Sequence, residues 1–152
     1  MIMSAIEPLC HLIGINCTDL SKEEYSLLEA DLFIRICEEL KEFFRTQYKS
    51  YFQLMKFNLE KENIMLEKNL GSLITNDILS TKEYSISGIA NYSDTPPDVI
   101  QEIIDGRNHR PSAVFLLRII ELHRLIRRDL YDTIIKKVIH QYVIGKNILI
   151  TE

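Results

Sequence analysis

The sequence predicts an all-α fold, and three observations carry the prediction. Apolar residues recur at three- and four-residue spacing along most of the 152 residues, which is the period of a helix rather than a strand. Only five Gly and four Pro interrupt the chain, too few for the many turns of a β-sandwich. The polar breaks between apolar stretches are short, as helix–helix corners are. A content of 46% hydrophobic and 26% charged residues is globular. The length suits one small domain with an appended arm.

The opening twenty residues are irregular, with Leu9, Leu12 and Ile13 available to dock. Ser21 and Glu24 then form a capping-box pattern that starts a helix reaching about Tyr48. Leu28, Leu32, Ile36, Leu40, Phe43 and Phe44 make its apolar stripe. A second pattern runs through Phe52, Met55, Leu59, Met65 and Leu66. The residues leave open whether it continues the first helix or follows a bend near Lys49-Ser50. Leu70, Leu73, Ile74 and Ile78 mark a third helix that stops in the polar stretch 80–83. Short helices are predicted over 85–92 and 96–105, the second ended by Gly106 as a left-handed cap. Ser112 is the expected N-cap of a helix with Val114, Leu117, Ile120 and Leu125 or Ile126 inward. A last helix runs from Asp129 through His140, burying Leu130, Ile134, Ile135, Val138 and Ile139. Val143-Ile144 and the 148–150 stretch are β-prone and predict a short extended tail. The expected organisation is a helical arm over 1–60, a helical domain over 61–142 and a tail over 143–152.

The charge is unevenly spread. Residues 1–105 hold nine Lys/Arg against eighteen Asp/Glu, whereas residues 106–146 hold nine against three. A basic end can supply sequence-independent affinity for nucleic-acid phosphates even in a chain of net charge −4. The same pattern also suits solvated helix faces that pair with the acidic half.

The most informative stretch is residues 85–106. Ala90 is small where one helix would cross another, with Ile86 and Ile89 on its inner side. Residues 91–94 form a polar break long enough only for a tight corner. Thr95 is the expected N-cap of the next helix, with Pro96 in its first position and Asp98 three residues on. Val99, Ile100, Ile103 and Ile104 form the buried side of that helix. The pattern is a helix-turn-helix.

On Ala90, Ile100 and Gly106, and on the Arg107-Asn108-His109-Arg110, Pro111-Ser112 and Phe115–Leu122 segments after them, the chain resembles the lambda-repressor-like helix-turn-helix family. The resemblance covers about residues 66–125. It implies a helix-turn-helix bundle behind the N-terminal arm, and a transcriptional regulator that binds double-stranded DNA, as a homodimer addressing two half-sites. Carried over by position, Gln101 would touch a base edge. Thr95, Arg107, Asn108 and Arg110 would hold phosphates, and Pro97 and Asp98 would sit on the exposed recognition face. Two departures stand out. Asp94 occupies the turn where the family has Gly, and Ile86 stands where a polar phosphate-holding residue is usual.

The alternative is an adaptor that keeps the fold and turns its acidic recognition face, or its basic final helices, toward another protein. No enzyme is expected. The sequence has no Gly-rich phosphate loop and no nucleophile elbow, and carboxylate pairs such as Glu23-Glu24 and Glu38-Glu39 point apart on a helix. Neither cofactor nor metal is expected, because Cys10, Cys17, Cys37, His109, His123 and His140 have no ligand spacing. The histidines read as surface imidazoles and the thiols as packed side chains. Three unpaired cysteines, no basic leader and no apolar run approaching ~20 residues predict a cytoplasmic protein without membrane contact. The aromatic cluster Phe43, Phe44, Tyr48, Tyr51, Phe52 and Phe57 reads as helical core or a dimer seam rather than a ligand pocket.

Overall fold

The computed structural model describes residues 19–151, with side chains described for 19–142. Cys10, Cys17 and the apolar residues of the opening segment lie outside that range. The fold is all-α: among the described residues there are eight α-helices and no strand. In chain order they are α1 (Lys22–Gln47), α2 (Lys49–Leu54), α3 (Leu59–Lys68), α4 (Leu70–Ser80), α5 (Ile86–Ser93), α6 (Pro97–Ile104), α7 (Ala113–Ile126) and α8 (Arg128–Thr151). None is long and apolar enough to cross a membrane. The chain divides into two compact units, one joining the chain up to Glu39 with the chain from Arg128 onward, the other Leu40–Arg127.

In the first unit, α1 starts with the expected reciprocal cap. The Ser21 N–H donates to Glu24 Oε1, and the Glu24 N–H to Ser21 Oγ, both at 3.1 Å. The Ser21 amide, and after it the Ser21 hydroxyl, hold the Glu24 carboxyl below its ordinary pKa. Leu32 and Ile36 are buried, as are Tyr131, Ile134 and Val138 of α8. Arg35 donates to Gln141 Oε1 at 3.0 Å and lies 4.6 Å from the centroid of the Tyr142 ring. Lys137 Nζ meets Glu39 Oε2 at 3.0 Å. Position 35 meets 141 and position 39 meets 137, so α1 and α8 run antiparallel. Of the apolar stripe along α1, Leu32, Ile36 and Leu40 are buried within the chain. The extended tail is not found: the backbone from 143 to Thr151 continues α8. Adding residues to an existing helix costs far less than nucleating one, so β-branched composition loses to propagation.

In the second unit the chain bends where the sequence left the question open. α1 stops at Gln47, and α2 ends in a left-handed residue, Lys56, with φ of 55°. The Phe57 N–H then reaches back to Phe52 O at 3.0 Å, the closing bond of a Schellman turn. Asn58 caps α3 by accepting from the Lys61 N–H at 2.8 Å. Arg45 to Glu62 and Lys41 to Glu67, each 2.9 Å, tie the end of α1 to α3.

The core of this unit is built mainly from α4 to α7. α4 packs on α6 and α7, and α5 packs on the same two helices. Ile74, Ile78, Ile89, Ile100, Ile103, Phe115, Ile119, Ile120 and Leu122 are buried. A Cβ on Gly71 would come within 3.2 Å of Pro111 Cγ, so α4 passes the Pro111 loop at a distance that suits only glycine without adjustment. α7 starts at Ser112 as expected, its Oγ accepting the Phe115 N–H at 3.1 Å. Its inward face differs: Val114 is 61% exposed and Leu125 49%, while Phe115, Ile119, Leu122 and His123 face the core.

His123 is no surface imidazole. Its side chain is wholly buried, with Nε2 2.6 Å from Asp77 Oδ2 on α4. Arg127 grips the same carboxylate with Nε and Nη2, each at 3.0 Å. Burial pushes the His123 pKa below its ordinary value against the pull of Asp77. Burial pushes Asp77 up, but the bonds and charges of Arg127 and His123 outweigh it and hold the carboxyl low. A neutral imidazole therefore donates to an ionised carboxylate and fastens α4 to α7.

Candidate nucleic-acid interface

The corner between α5 and α6 is set by local chemistry. Ser85 Oγ accepts the Gly88 N–H at 3.1 Å and starts α5. Ile89, Ala90 and Ser93 are its buried residues, Ala90 6% exposed. The helix ends at Asp94, whose φ of 51° and ψ of 45° are left-handed. The Thr95 N–H closes a Schellman bond to Ala90 O at 3.0 Å. Asp94 thus takes the backbone conformation that glycine adopts most easily, as short polar residues can.

α6 begins one residue later than the sequence suggests. Pro96, not Thr95, is the N-cap, with φ of −58° and ψ of 142°, and Pro97 is the first helical residue. The second proline decides this, because a residue preceding proline is driven out of the helical region. Thr95 makes no cap bond; its hydroxyl donates to Ser93 O at 3.1 Å.

The expected contact residues fall into two groups. Thr95, Pro97 and Asp98 sit at the start of α6, Thr95 half-buried and the other two exposed. Gln101, Arg107, Asn108 and Arg110 lie toward its other end and in the loop beyond. Gly106, with φ of 72°, turns the chain there. The Arg107 and Asn108 N–H groups both donate to Glu102 O, at 2.9 and 3.1 Å. Asn108 Oδ1 accepts the Arg110 N–H at 3.0 Å, which leaves the Asn108 side chain shaping the loop.

Asp105 is the residue that sequence reasoning missed. Gln101 Nε2 donates to its Oδ1 at 2.9 Å, and Arg107 Nη2 to its Oδ2 at 3.0 Å. One carboxylate therefore occupies both the expected base reader and an expected phosphate holder. The four-residue spacing of Gln101 and Asp105 on a helix was the available signal.

The start of α6 offers little to a phosphate. Pro96 and Pro97 have no N–H, and the Val99 and Ile100 N–H groups turn back to Pro96 O at 3.0 and 3.1 Å. Helix starts bind anions through such amides, and here most are missing or spent. Asp98 and Glu102 add negative charge on the exposed side. A groove of about 590 Å³ runs beside the corner, lined by Ser87, Ala90, Asn91 and residues 94–97. The cations lie beyond it, with Arg107 and Arg110 both exposed. Compared with protein-family models, curated proteins and solved structures, the chain finds no match.

The small side chain at position 90 has a measurable role in this corner. Ala90→Leu is expected to crowd the turn between α5 and α6 and to cost about 1–3 kcal/mol. A thermal melt matching wild type would remove the close crossing.

Proposed function

We propose that the protein is a non-enzymatic DNA-binding regulator of the lambda-repressor-like kind, acting as a homodimer through the α5–α6 corner. The observation that carries the reading is the corner itself. Two eight-residue helices meet at a left-handed Asp94, with α4 and α7 packed behind them and a basic loop following. In this reading Arg107 and Arg110 hold phosphates and Gln101 reaches a base once Asp105 releases it. A dimer would use side chains that α1 leaves exposed, Leu27 and Ile34, rather than its buried stripe.

The test is a gel-shift or anisotropy series on one random and one selected duplex. Arg110→Ala is expected to flatten the slope of log affinity against log salt by about 0.9. Gln101→Ala should lower discrimination between the duplexes by about 1–3 kcal/mol if Gln101 contacts adenine with both side-chain groups. Asp98→Lys should strengthen binding to random duplex, replacing a repulsion with an attraction.

The two prolines and the Asp105 clamp favour a second reading, an adaptor that presents the acidic α6 face to a basic protein segment. Absence of wild-type DNA binding at ~50 mM salt, where electrostatic association is strongest, would put this reading first.

A further inference from the structure

We propose that the pocket beside α2 is a binding site for a small amphipathic anion, a carboxylate, sulfonate or phosphate on a flat apolar body. The pocket has a volume of about 400 Å³, within the range that takes small ligands. Its apolar part is Phe52, which is buried, and Phe57, stacked on it with centroids 5.8 Å apart and planes at 23°. Tyr51 meets both rings edge-on, at 5.9 and 6.1 Å. Such a platform suits a flat hydrophobic group.

The polar part is cationic. Arg45, Lys49 and Lys56 line the pocket together with a single carboxylate, Glu62. Arg45 is already engaged by Glu62 at 2.9 Å, by Glu42 at 3.2 Å and by Asn63. Lys49 and Lys56 have no ion-pair partner among the described residues. Two uncompensated ammonium groups therefore flank an aromatic floor.

Lys56 sharpens the point. The turn that lays Phe57 on Phe52 requires a left-handed residue there, at φ of 55°, which glycine adopts without strain. Lysine at that position puts a cation on the rim beside the rings.

The site stands independently of DNA binding, and its test uses the full chain without DNA. The probe is 8-anilinonaphthalene-1-sulfonate, followed by fluorescence and by amide chemical shifts. Saturable one-to-one binding is expected, with shifts centred on Thr46, Lys49, Gln53, Lys56 and Phe57, weakening from ~50 to ~500 mM NaCl as charges are screened. Lys49→Gln and Lys56→Gln should each weaken it about threefold, the size of one partly solvated charge pair. Lys56→Gly should weaken binding as much while its thermal midpoint stays equal to wild type or rises, which separates lost charge from lost folding. The uncharged dye N-phenyl-1-naphthylamine should bind more weakly than the sulfonate and ignore all three substitutions. Shifts centred elsewhere, lysine variants that bind the sulfonate as tightly as wild type, or an uncharged dye that binds equally well would each overturn the proposal. So would displacement of the sulfonate by one equivalent of duplex DNA, since the pocket would then belong to a nucleic-acid surface.

Discussion

Replacing Asp77 with alanine is expected to destabilise the Leu40–Arg127 unit by about 3 kcal/mol, read from urea melts. The carboxylate accepts three bonds, one from a wholly buried imidazole and two from a guanidinium. Without it His123 keeps its burial and loses the carboxylate bond, whereas Arg127, 39% exposed, regains water. That recovery holds the figure to the lower part of the range for broken buried pairs. The same cluster fixes the sign of a pH effect. The folded-state pKa values of His123 and Asp77 are both lowered, so the unfolded chain binds more protons in each transition. Stability is then full above about pH 6.5, the unfolded imidazole value, and falls with acidification. His123 contributes first, and Asp77 adds its share below about pH 3.9. His123→Asn should remove the part of the decline that begins near about pH 6.5.

Ile100→Ala should cost about 2–5 kcal/mol, the range for truncating a buried aliphatic side chain whose neighbours relax only partly. Ile100 is completely buried and lies on α6, the helix packed against both α4 and α5. Val114→Ala is the control, since a side chain 61% exposed should change stability by less than ~0.5 kcal/mol. Equal melts for the two variants would mean that α6 is not anchored through Ile100.

What the sequence disclosed follows from the range of each physical rule. Caps act over three residues, and Ser21 and Ser112 cap as their neighbours suggest; Ser85, expected inside its helix, caps it instead. Periodicity located the helices but misoriented α7, because apolar residues from Val114 to Ile126 surround its whole circumference. The expected inward set included Val114 and Leu125, which share the outer face with Arg118, Glu121 and Arg124. The start of α6 slipped by one residue because the rule for a residue before proline outweighs the cap preference of Thr95. The Asp77 cluster was invisible for another reason: His123 and Arg127 lie 46 and 50 residues from their partner, and only the packing of α4 on α7 brings them together. Of the candidate interface, the corner and loop were legible, while the role of Asp105 required the side-chain geometry.

Asp105 also changes how any partner of this surface would be paid for in entropy. A free arginine on a protein surface is neutralised by mobile salt, and so is a phosphate; bringing them together releases ions into bulk solvent. Arg107 carries its counter-ion on its own chain, two residues back in the form of Asp105. Displacing that carboxylate frees nothing to diffuse, and the displaced charge stays beside the newcomer. An anion at Arg107 therefore gains less from dilution of salt than one at Arg110, and the loop behaves as two cations of unequal reach. The nearer of them is internally quenched.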